Sequence, residues 1–288
     1  MSDPERVRQR QRTEWSAVAP GWQRFREKLG APTGRITERM VELAGIRPGF
    51  RVLDLACGAG DPALTIAQIV GSGGYVLGLD LSQEMVRAAR AEARRQNITN
   101  AGFRAIRSEL EPGVPAGSFD AATCRLGLMF MPDPAAALRE LHRALRPGAR
   151  VAVSTWGRPE RNPNFSIPLE IIGRHAGLPP QGPMTPGLFA LPTPEHLEAV
   201  LRAAGFEEVE VEVLRTPAVR ARDAETFWRG VSTVAAPIAS ILDSLTGEQR
   251  RRIREDALAT LGEIFPDGPV ELEGEAVLGA GRRRAPAL

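Results

Sequence analysis

Two carboxylates and two glycines stand at a spacing that suits a nucleoside ligand. Asp54 interrupts the apolar run Val52–Leu55, and a charge in a strand that is buried on both faces needs a partner. Gly58 and Gly60 follow, where glycine permits positive φ and lets a ligand approach the backbone closely. Asp80 ends a second apolar run, 20 residues after Gly60. A carboxylate at that position can accept hydrogen bonds from both hydroxyls of an adenosine ribose.

The residues around these four predict a strand, a tight turn, a helix and a second strand. Asp61 followed by Pro62 is typical of a helix N-cap with proline at the first helical position. The free N–H groups of such a helix would face the turn, so we expect an anionic group of the ligand there. Ser82 is predicted to cap the helix after the second strand.

The stretch Leu53–Gly60, with the sequence LDLACGAG, resembles the first motif of class I S-adenosylmethionine-dependent methyltransferases. Three later segments, Gly117–Leu126, Met131–Pro134 and Leu145–Trp156, are similar to the ubiquinone- and menaquinone-biosynthesis methyltransferases and their small-molecule relatives. The resemblance is good over about residues 36–156 and looser elsewhere. It implies S-adenosyl-L-methionine as cofactor and S-adenosyl-L-homocysteine as product.

The same resemblance implies a set of cofactor-binding residues. The glycine loop would hold the methionine part, and the acid after the second strand would hold the ribose. In relatives an acid after the third strand contacts the adenine amino group, but counting back from Asp120 places Ser108 there, with Glu109 beside it. Either of these two can be the contact. The predicted cofactor residues are Asp54, Ala56, Gly58, Gly60, Asp80, Leu81, Ser108, Glu109 and Arg125.

Methyl transfer from a sulfonium requires few catalytic side chains. It is an in-line displacement whose main needs are alignment and exclusion of water. His175 is a candidate base, since histidine titrates near physiological pH, and a surface or packing role is the alternative. Arg125 follows the predicted fourth strand, where its charge can orient an acceptor oxygen or form a structural salt bridge. These two are the candidate catalytic residues.

Apolar side chains at strand ends and in the predicted caps favour a small hydrophobic or aromatic acceptor, methylated on oxygen, carbon or nitrogen. Two tryptophans belong to a helical stretch predicted over residues 4–29, with a break near Pro20. Its aromatic residues either pack the helix onto the flank of the sheet or, as the resemblance implies, belong to a lid that closes over the cofactor. The predicted substrate-binding residues are Trp15, Trp22, Met129, Phe130, Trp156 and Phe189.

Alternating strands and helices predict an α/β fold, a doubly wound Rossmann-like sheet. The resemblance adds seven strands, of which the last is antiparallel, with a helical N-terminal lid and cap insertions. The predicted divisions are a lid over 1–32, a cofactor-binding core over 33–156, a cap insertion over 157–196, core again over 197–222, a helical cap over 223–268, and the last strand with a basic tail over 269–288.

Composition limits the partners and the compartment. The 37 basic and 35 acidic residues give a formal net charge of +2, which argues against a nucleic-acid partner. Cys57 and Cys124 are too few for a disulfide framework and favour a cytoplasmic location. The three histidines lie at no metal-ligand spacing with them, so no metal site is predicted. We expect no leader and no transmembrane segment, a small-molecule acceptor and a possible homodimer.

Two other functions compete. An NAD(P)-dependent oxidoreductase would share the glycine turn, but Asp54 precedes the glycines and Ala63 occupies the third fingerprint position, which does tolerate alanine. A non-catalytic nucleoside-binding protein of the same fold is favoured by Ser108 in place of an acid. Binding of adenosylhomocysteine or of NAD would distinguish these readings.

Overall fold

A seven-stranded sheet organises the chain. The computed structural model describes residues 3–25, 33–177, 184–266 and 268–285. Its strands are β1 (Arg51–Leu55), β2 (Tyr75–Asp80), β3 (Ala101–Ala105), β4 (Phe119–Arg125), β5 (Leu145–Trp156), β6 (Glu207–Ala221) and β7 (Val270–Arg282). They lie in the order β3-β2-β1-β4-β5-β7-β6. The first five are parallel, whereas β7 runs antiparallel to both β5 and β6, which confirms the predicted fold class.

Helices cover both faces of this sheet. They are α1 (Pro4–Phe25), α2 (Gly34–Leu43), α3 (Ala63–Val70), α4 (Gln83–Arg95), α5 (Pro134–Ala144), α6 (Pro163–Ala176), α7 (Pro194–Ala203), α8 (Ala224–Val234), α9 (Ala236–Asp243) and α10 (Gly247–Ile264). Apolar residues of α2, α3 and α4 form the core on one face, and those of α5 and α7 form it on the other. The central strands are therefore buried on both sides, as their continuous apolar runs predict.

The strand order reverses between β1 and β4, because the chain proceeds outward from β1 to β3 and then crosses back to β4. In open α/β sheets, ligands bind in the crevice beyond the carboxyl ends of the strands at such a switch point. Asp54 near the end of β1, Asp80 at the end of β2 and Arg125 at the end of β4 consequently lie at this one edge.

The N-terminal helix packs against one helix of the sheet layer and against two later helices. α1 contacts α4 of the core and also α8 and α9, while α6, α8, α9 and α10 share a separate apolar cluster. The break predicted near Pro20 is absent: α1 continues to Phe25, since packing on both sides overrides the local signal. The part of that prediction on residues 26–29 lies outside the described residues.

Two elements are longer than the sequence pattern indicates. The alternating pattern of residues 208–214 predicts a strand there, and β6 extends to Ala221; the pattern of residues 169–175 predicts a short helix, and α6 begins at Pro163. Pro217 lies within β6 where the pairing with β7 shifts register, and β6 is an edge strand in which proline is tolerated. Within the described ranges, no helix has the length and apolar character to cross a membrane, and no cluster of residues suits a metal ion.

Candidate functional site

The turn after β1 combines one open glycine with one packed glycine. Gly58 has φ +51°, and a Cβ added there would meet nothing within 4 Å. Gly60 has φ +104°, and its Cβ would lie 3.0 Å from Leu64 and 3.3 Å from Ala89. Both positions favour glycine, but for different reasons. Gly60 lets the turn pack against α3 and α4, whereas Gly58 leaves bare backbone facing open space.

Asp80 fixes this turn from the end of β2. Its Oδ2 accepts a hydrogen bond from the Gly58 N–H at 2.9 Å, and its Oδ1 accepts one from the Ser82 N–H at 2.8 Å. Burial raises the pKa of Asp80, while these donors act in the opposite direction. Ser82 Oγ in turn accepts from the Met85 N–H, which confirms the predicted cap of α4. Each Asp80 oxygen has further lone-pair capacity, so the carboxylate can hold the turn and still accept from a ligand.

Asp54 is fully buried and only half satisfied. Thr123 Oγ1 donates to its Oδ1 at 2.7 Å, whereas its Oδ2 has no hydrogen-bond partner within the part of the chain that the structure describes. Burial raises the pKa of Asp54 to about 7, and the nearby carboxylates of Asp61 and Asp80 act in the same direction. A buried polar atom without a partner is costly, so this oxygen marks a place where a donor is expected to bind.

Arg125 contributes a guanidinium that neighbouring residues already hold. Its Nη1 lies 2.8 Å from Asp61 Oδ2 and also donates to Thr33 Oγ1 and Thr37 Oγ1, each at 2.8 Å. Its Nη2 donates to the Asp61 carbonyl. The prediction that Asp61 is an N-cap is wrong, because α3 begins at Ala63 and the Asp61 carboxylate pairs with Arg125 instead.

Strained backbone lines the switch point itself. Ala56 and Leu126 follow β1 and β4, and both adopt left-handed φ, +59° and +56°. Gly127 lies against Ala56 so closely that an added Cβ would be 2.4 Å from the alanine Cβ. Left-handed conformations of non-glycine residues occur where surrounding structure enforces them, often at functional sites. Sequence reasoning named Ala56 but had no signal for its conformation.

The loop after β3 is attached to the N-terminal helix. Glu109 is 2% exposed and forms a bidentate ion pair with Arg8 of α1, with contacts of 2.9 and 3.0 Å. Ser108 Oγ accepts from the Leu110 N–H. Ser16 Oγ of α1 lies 2.9 Å from Ser82 Oγ. Of the two residues predicted to contact adenine, Glu109 therefore already has a partner in Arg8.

The predicted acceptor residues form a packed apolar cluster close to this edge. Met129 and Phe130 lie in a 3₁₀ turn after β4, and they join Trp156 and Phe189 in one buried core cluster. Trp15 packs edge-on against Phe130, with ring centroids 5.3 Å apart. Trp22 instead donates from Nε1 to the carbonyl of Val234 in α8. The structure thus brings five of the six together and places Trp22 against α8.

His175 lies apart from these groups. It is in the last turn of α6, and its Nε2 is 3.0 Å from Asp256 Oδ2 of α10. Its side chain is 29% exposed, so it lies near the surface between α6 and α10. Its predicted catalytic role stays a prediction.

The sequence is similar to those of known methyltransferases. A family model for a methyltransferase domain matches residues 46–169. The 2-phytyl-1,4-naphtoquinone methyltransferase of Synechococcus elongatus is 38% identical over 143 residues, which are 49% of this chain and 61% of that enzyme. The nocamycin O-methyltransferase of Saccharothrix syringae is 31% identical over 209 residues, which are 68% of this chain and 74% of that enzyme. This chain therefore spans less than two thirds of the first relative's length.

A solved structure agrees with the topology. A SAM dependent methyltransferase from Aquifex aeolicus superposes with a TM-score of 0.50 and covers 67% of this chain and 91% of its own, at 20% identity. Similarity at this identity concerns the fold alone, since one fold hosts many functions.

Proposed function

We propose that this chain, which belongs to the class I S-adenosylmethionine-dependent methyltransferases, transfers a methyl group from S-adenosyl-L-methionine to a small hydrophobic or aromatic metabolite. The observation that carries the proposal is the Oδ2 of Asp54, which has no partner among the described residues, four residues before the open backbone at Gly58. An ammonium group of a bound amino acid would satisfy that oxygen. The named activities of the two relatives support the same chemistry.

The charges around the turn suit a cationic ligand. Asp54, Asp61 and Asp80 supply three carboxylates, and the nearby guanidinium of Arg125 is paired with one of them. A nearby positive charge favours the ionised form of a buried carboxyl group, so a ligand that brings positive charge suits Asp54 and Asp80. When bound, S-adenosylmethionine supplies an ammonium and a methyl group activated on a sulfonium. The positively charged groups of that ligand thus match the carboxyl groups of the site.

The residues of the chain would then bind, orient and exclude water. Asp54 would accept from the ligand ammonium, and Asp80 from the ribose hydroxyls. The amino-acid tail of the ligand would lie along the bare backbone at Gly58. Met129, Phe130 and Trp15 would shield the transfer site and contact the acceptor. Alignment and water exclusion are the main requirements of an in-line displacement, so this division of roles needs no obligatory base.

Arg125 is proposed to orient the turn rather than the acceptor. Its guanidinium links Asp61 to the start of α2 through Thr33 and Thr37, which leaves its charge compensated locally. A direct contact with cofactor or acceptor stays a prediction. The adenine contact predicted for Ser108 or Glu109 also stays a prediction, as do the division into lid, core and caps and the possible homodimer.

A cytoplasmic location is part of the proposal. Cys57 and Cys124 are both free and buried, and burial raises the pKa of each thiol. Unpaired thiols are usual in reducing compartments.

The test begins with ligand binding. In a thermal-shift assay, S-adenosylhomocysteine is expected to raise the melting temperature of the protein, and NAD is not. Labelled methyl groups from S-adenosylmethionine are then followed by mass spectrometry across phenols, hydroquinones, enols and amines. Stabilisation by NAD alone would contradict the proposal and favour an oxidoreductase. Cofactor binding without transfer to any class of acceptor would favour a non-catalytic binding protein.

A further inference from the structure

The loop before α7 is largely buried although it forms neither helix nor strand. It comprises residues 184–193, and its residues 188–191 are at most 7% exposed. Loops usually run over the surface, because buried backbone N–H and C=O groups need hydrogen-bond partners. The position of this loop therefore depends on where its backbone groups find those partners.

Two hydrogen bonds attach the loop to the ends of neighbouring strands. The Gly187 N–H donates to the carbonyl of Met129, in the 3₁₀ turn after β4, at 3.0 Å. Thr155 Oγ1, near the end of β5, donates to the carbonyl of Leu191 at 2.9 Å. β4 and β5 are parallel neighbours, so their carboxyl ends lie side by side. The loop consequently spans from the end of one strand to the end of the next.

Phe189 lies between these two attachments and is one of the predicted acceptor residues. It shares a buried cluster on one face of the sheet with Met129 and Trp156, whereas Leu191 belongs to the core on the other face. The loop thus passes across the end of β5. Successive residues of a strand point to opposite faces, so Trp156 joins the acceptor cluster while Thr155 holds the end of the loop.

The Thr155 hydroxyl is the side-chain group among these attachments. The bond from Gly187 joins two backbone groups, whereas the bond to Leu191 disappears when the hydroxyl is removed. Thr155 and Leu191 are both 0% exposed, so bulk water does not replace the lost donor. A buried carbonyl without its donor is unfavourable, and the loop relieves this by moving away from β5.

We infer that Thr155 is a positioning residue for the methyl acceptor, because its hydroxyl fixes the loop that carries Phe189 and with it one wall of the acceptor site. The inference rests on the proposed function. A loop that has moved away must return before the acceptor binds, so the apparent affinity falls with the fraction of molecules in the competent position. The cofactor site at the ends of β1 and β2 does not depend on that fraction.

The experiment compares Thr155→Val and Thr155→Ser with wild type. Valine has nearly the shape of threonine without the hydroxyl, and serine keeps the hydroxyl. Hydrogen exchange followed by mass spectrometry measures the protection of loop peptides, and calorimetry measures the affinity for S-adenosylhomocysteine. Steady-state methylation gives KM and kcat. The first acceptors are 1,4-naphthohydroquinone and 2-naphthol, followed by the panel used to test the proposed function, and the acceptor that wild type methylates fastest is chosen.

Thr155→Val is expected to lose protection in the loop and to raise the acceptor KM at least about fivefold, with kcat and S-adenosylhomocysteine affinity within about twofold of wild type. Thr155→Ser is expected to match wild type in all four quantities. Thr246→Val is the control, because the Thr246 hydroxyl caps α10 and its loss should lower the melting temperature without a change in KM.

Four results would overturn the inference while leaving the proposed function intact. These are unchanged loop protection in Thr155→Val, an unchanged KM despite lost protection, a fall in S-adenosylhomocysteine affinity as large as the rise in KM, and an equal effect of Thr155→Ser. If Thr155→Val does not fold, the smaller Thr155→Ala takes its place. If wild type methylates no acceptor of the panel, the proposed function fails and the acceptor role of Thr155 with it, whereas hydrogen exchange still shows whether Thr155 holds the loop.

Discussion

Replacement of Asp54 by asparagine should make the protein more stable at alkaline pH while it weakens cofactor binding. The pKa of Asp54 in the folded chain is about 7, raised by burial from its usual 3.8. Ionisation of this group therefore destabilises the folded state progressively as pH rises from about 4 to about 7, and the penalty is constant above that range. Its full value is roughly 4 kcal/mol. The amide carries no such penalty.

The predicted quantity is the change between two pH values. Between about pH 5 and pH 8, Asp54→Asn should gain roughly 2.5 kcal/mol of unfolding free energy relative to wild type. The substitution keeps the bond from Thr123 Oγ1, but it places an unpartnered amide N–H at the Oδ2 position, which costs about 1–3 kcal/mol at every pH. The variant is thus expected to be close to wild type or less stable at pH 5, and more stable than wild type at pH 8.

Urea denaturation at both pH values measures this difference, and calorimetry with S-adenosylhomocysteine measures binding. Loss of a charged acceptor should weaken binding by about 1.5–3 kcal/mol. Asp243→Asn serves as control, because Asp243 is an exposed residue at the end of α9 and its substitution should reproduce the wild-type pH dependence. A stability difference between Asp54→Asn and wild type that does not change with pH would refute the reasoning. It would mean that Asp54 does not titrate in this range in the folded chain.

Other perturbations test the remaining parts of the site. Gly58→Val should abolish calorimetric binding of S-adenosylmethionine. Gly117→Val is the control: Gly117 has a similar φ of +64° and equally open space, so its substitution should cost comparable stability but leave the affinity unchanged. Wild-type affinity of Gly58→Val would refute the loop assignment. Asp80→Ala should weaken cofactor affinity by at least about 1.5–3 kcal/mol, and normal binding would leave Asp80 only a structural role. Wild-type affinity for S-adenosylhomocysteine should fall by up to about tenfold per unit below pH 7, while Asp54→Asn shows no such dependence. His175→Ala should keep kcat within about threefold once an acceptor is known, since a surface pair with Asp256 contributes little; a loss above a hundredfold would restore the catalytic prediction.

The parts of the fold that sequence predicts are those encoded locally. The run from Val52 to Leu55 is long and apolar enough to indicate a buried strand, and the run ending at Asp80 does the same. Gly58 and Asp80 are 22 residues apart, and a strand–helix–strand unit of that length leaves few ways to arrange them. Their hydrogen bond is thus close to a consequence of the pattern.

Partners that are distant in sequence could not be predicted in the same way. Thr123 and Asp54 are 69 residues apart, and Asp61 and Arg125 are 64 apart. Both pairs form because β1 and β4 are neighbours at the switch point, which only the assembled sheet determines. Residue type indicates that Asp54 needs a donor, but it does not indicate which one, or that one oxygen remains without any.

The contacts of the N-terminal helix α1 are a further example of partners that the sequence does not predict. Glu109 satisfies the chemistry of an adenine contact as well as Ser108 does, so sequence leaves both possibilities open. The structure pairs Glu109 with Arg8, 101 residues away, and Arg12 of the same helix donates to the carbonyl of Arg107 in the same loop. The loop in which the sequence predicts the adenine contact is therefore also the loop that holds α1. A ligand that contacts this loop would bind beside α1, and it would favour the docked position of the helix to the extent that it binds that position more tightly.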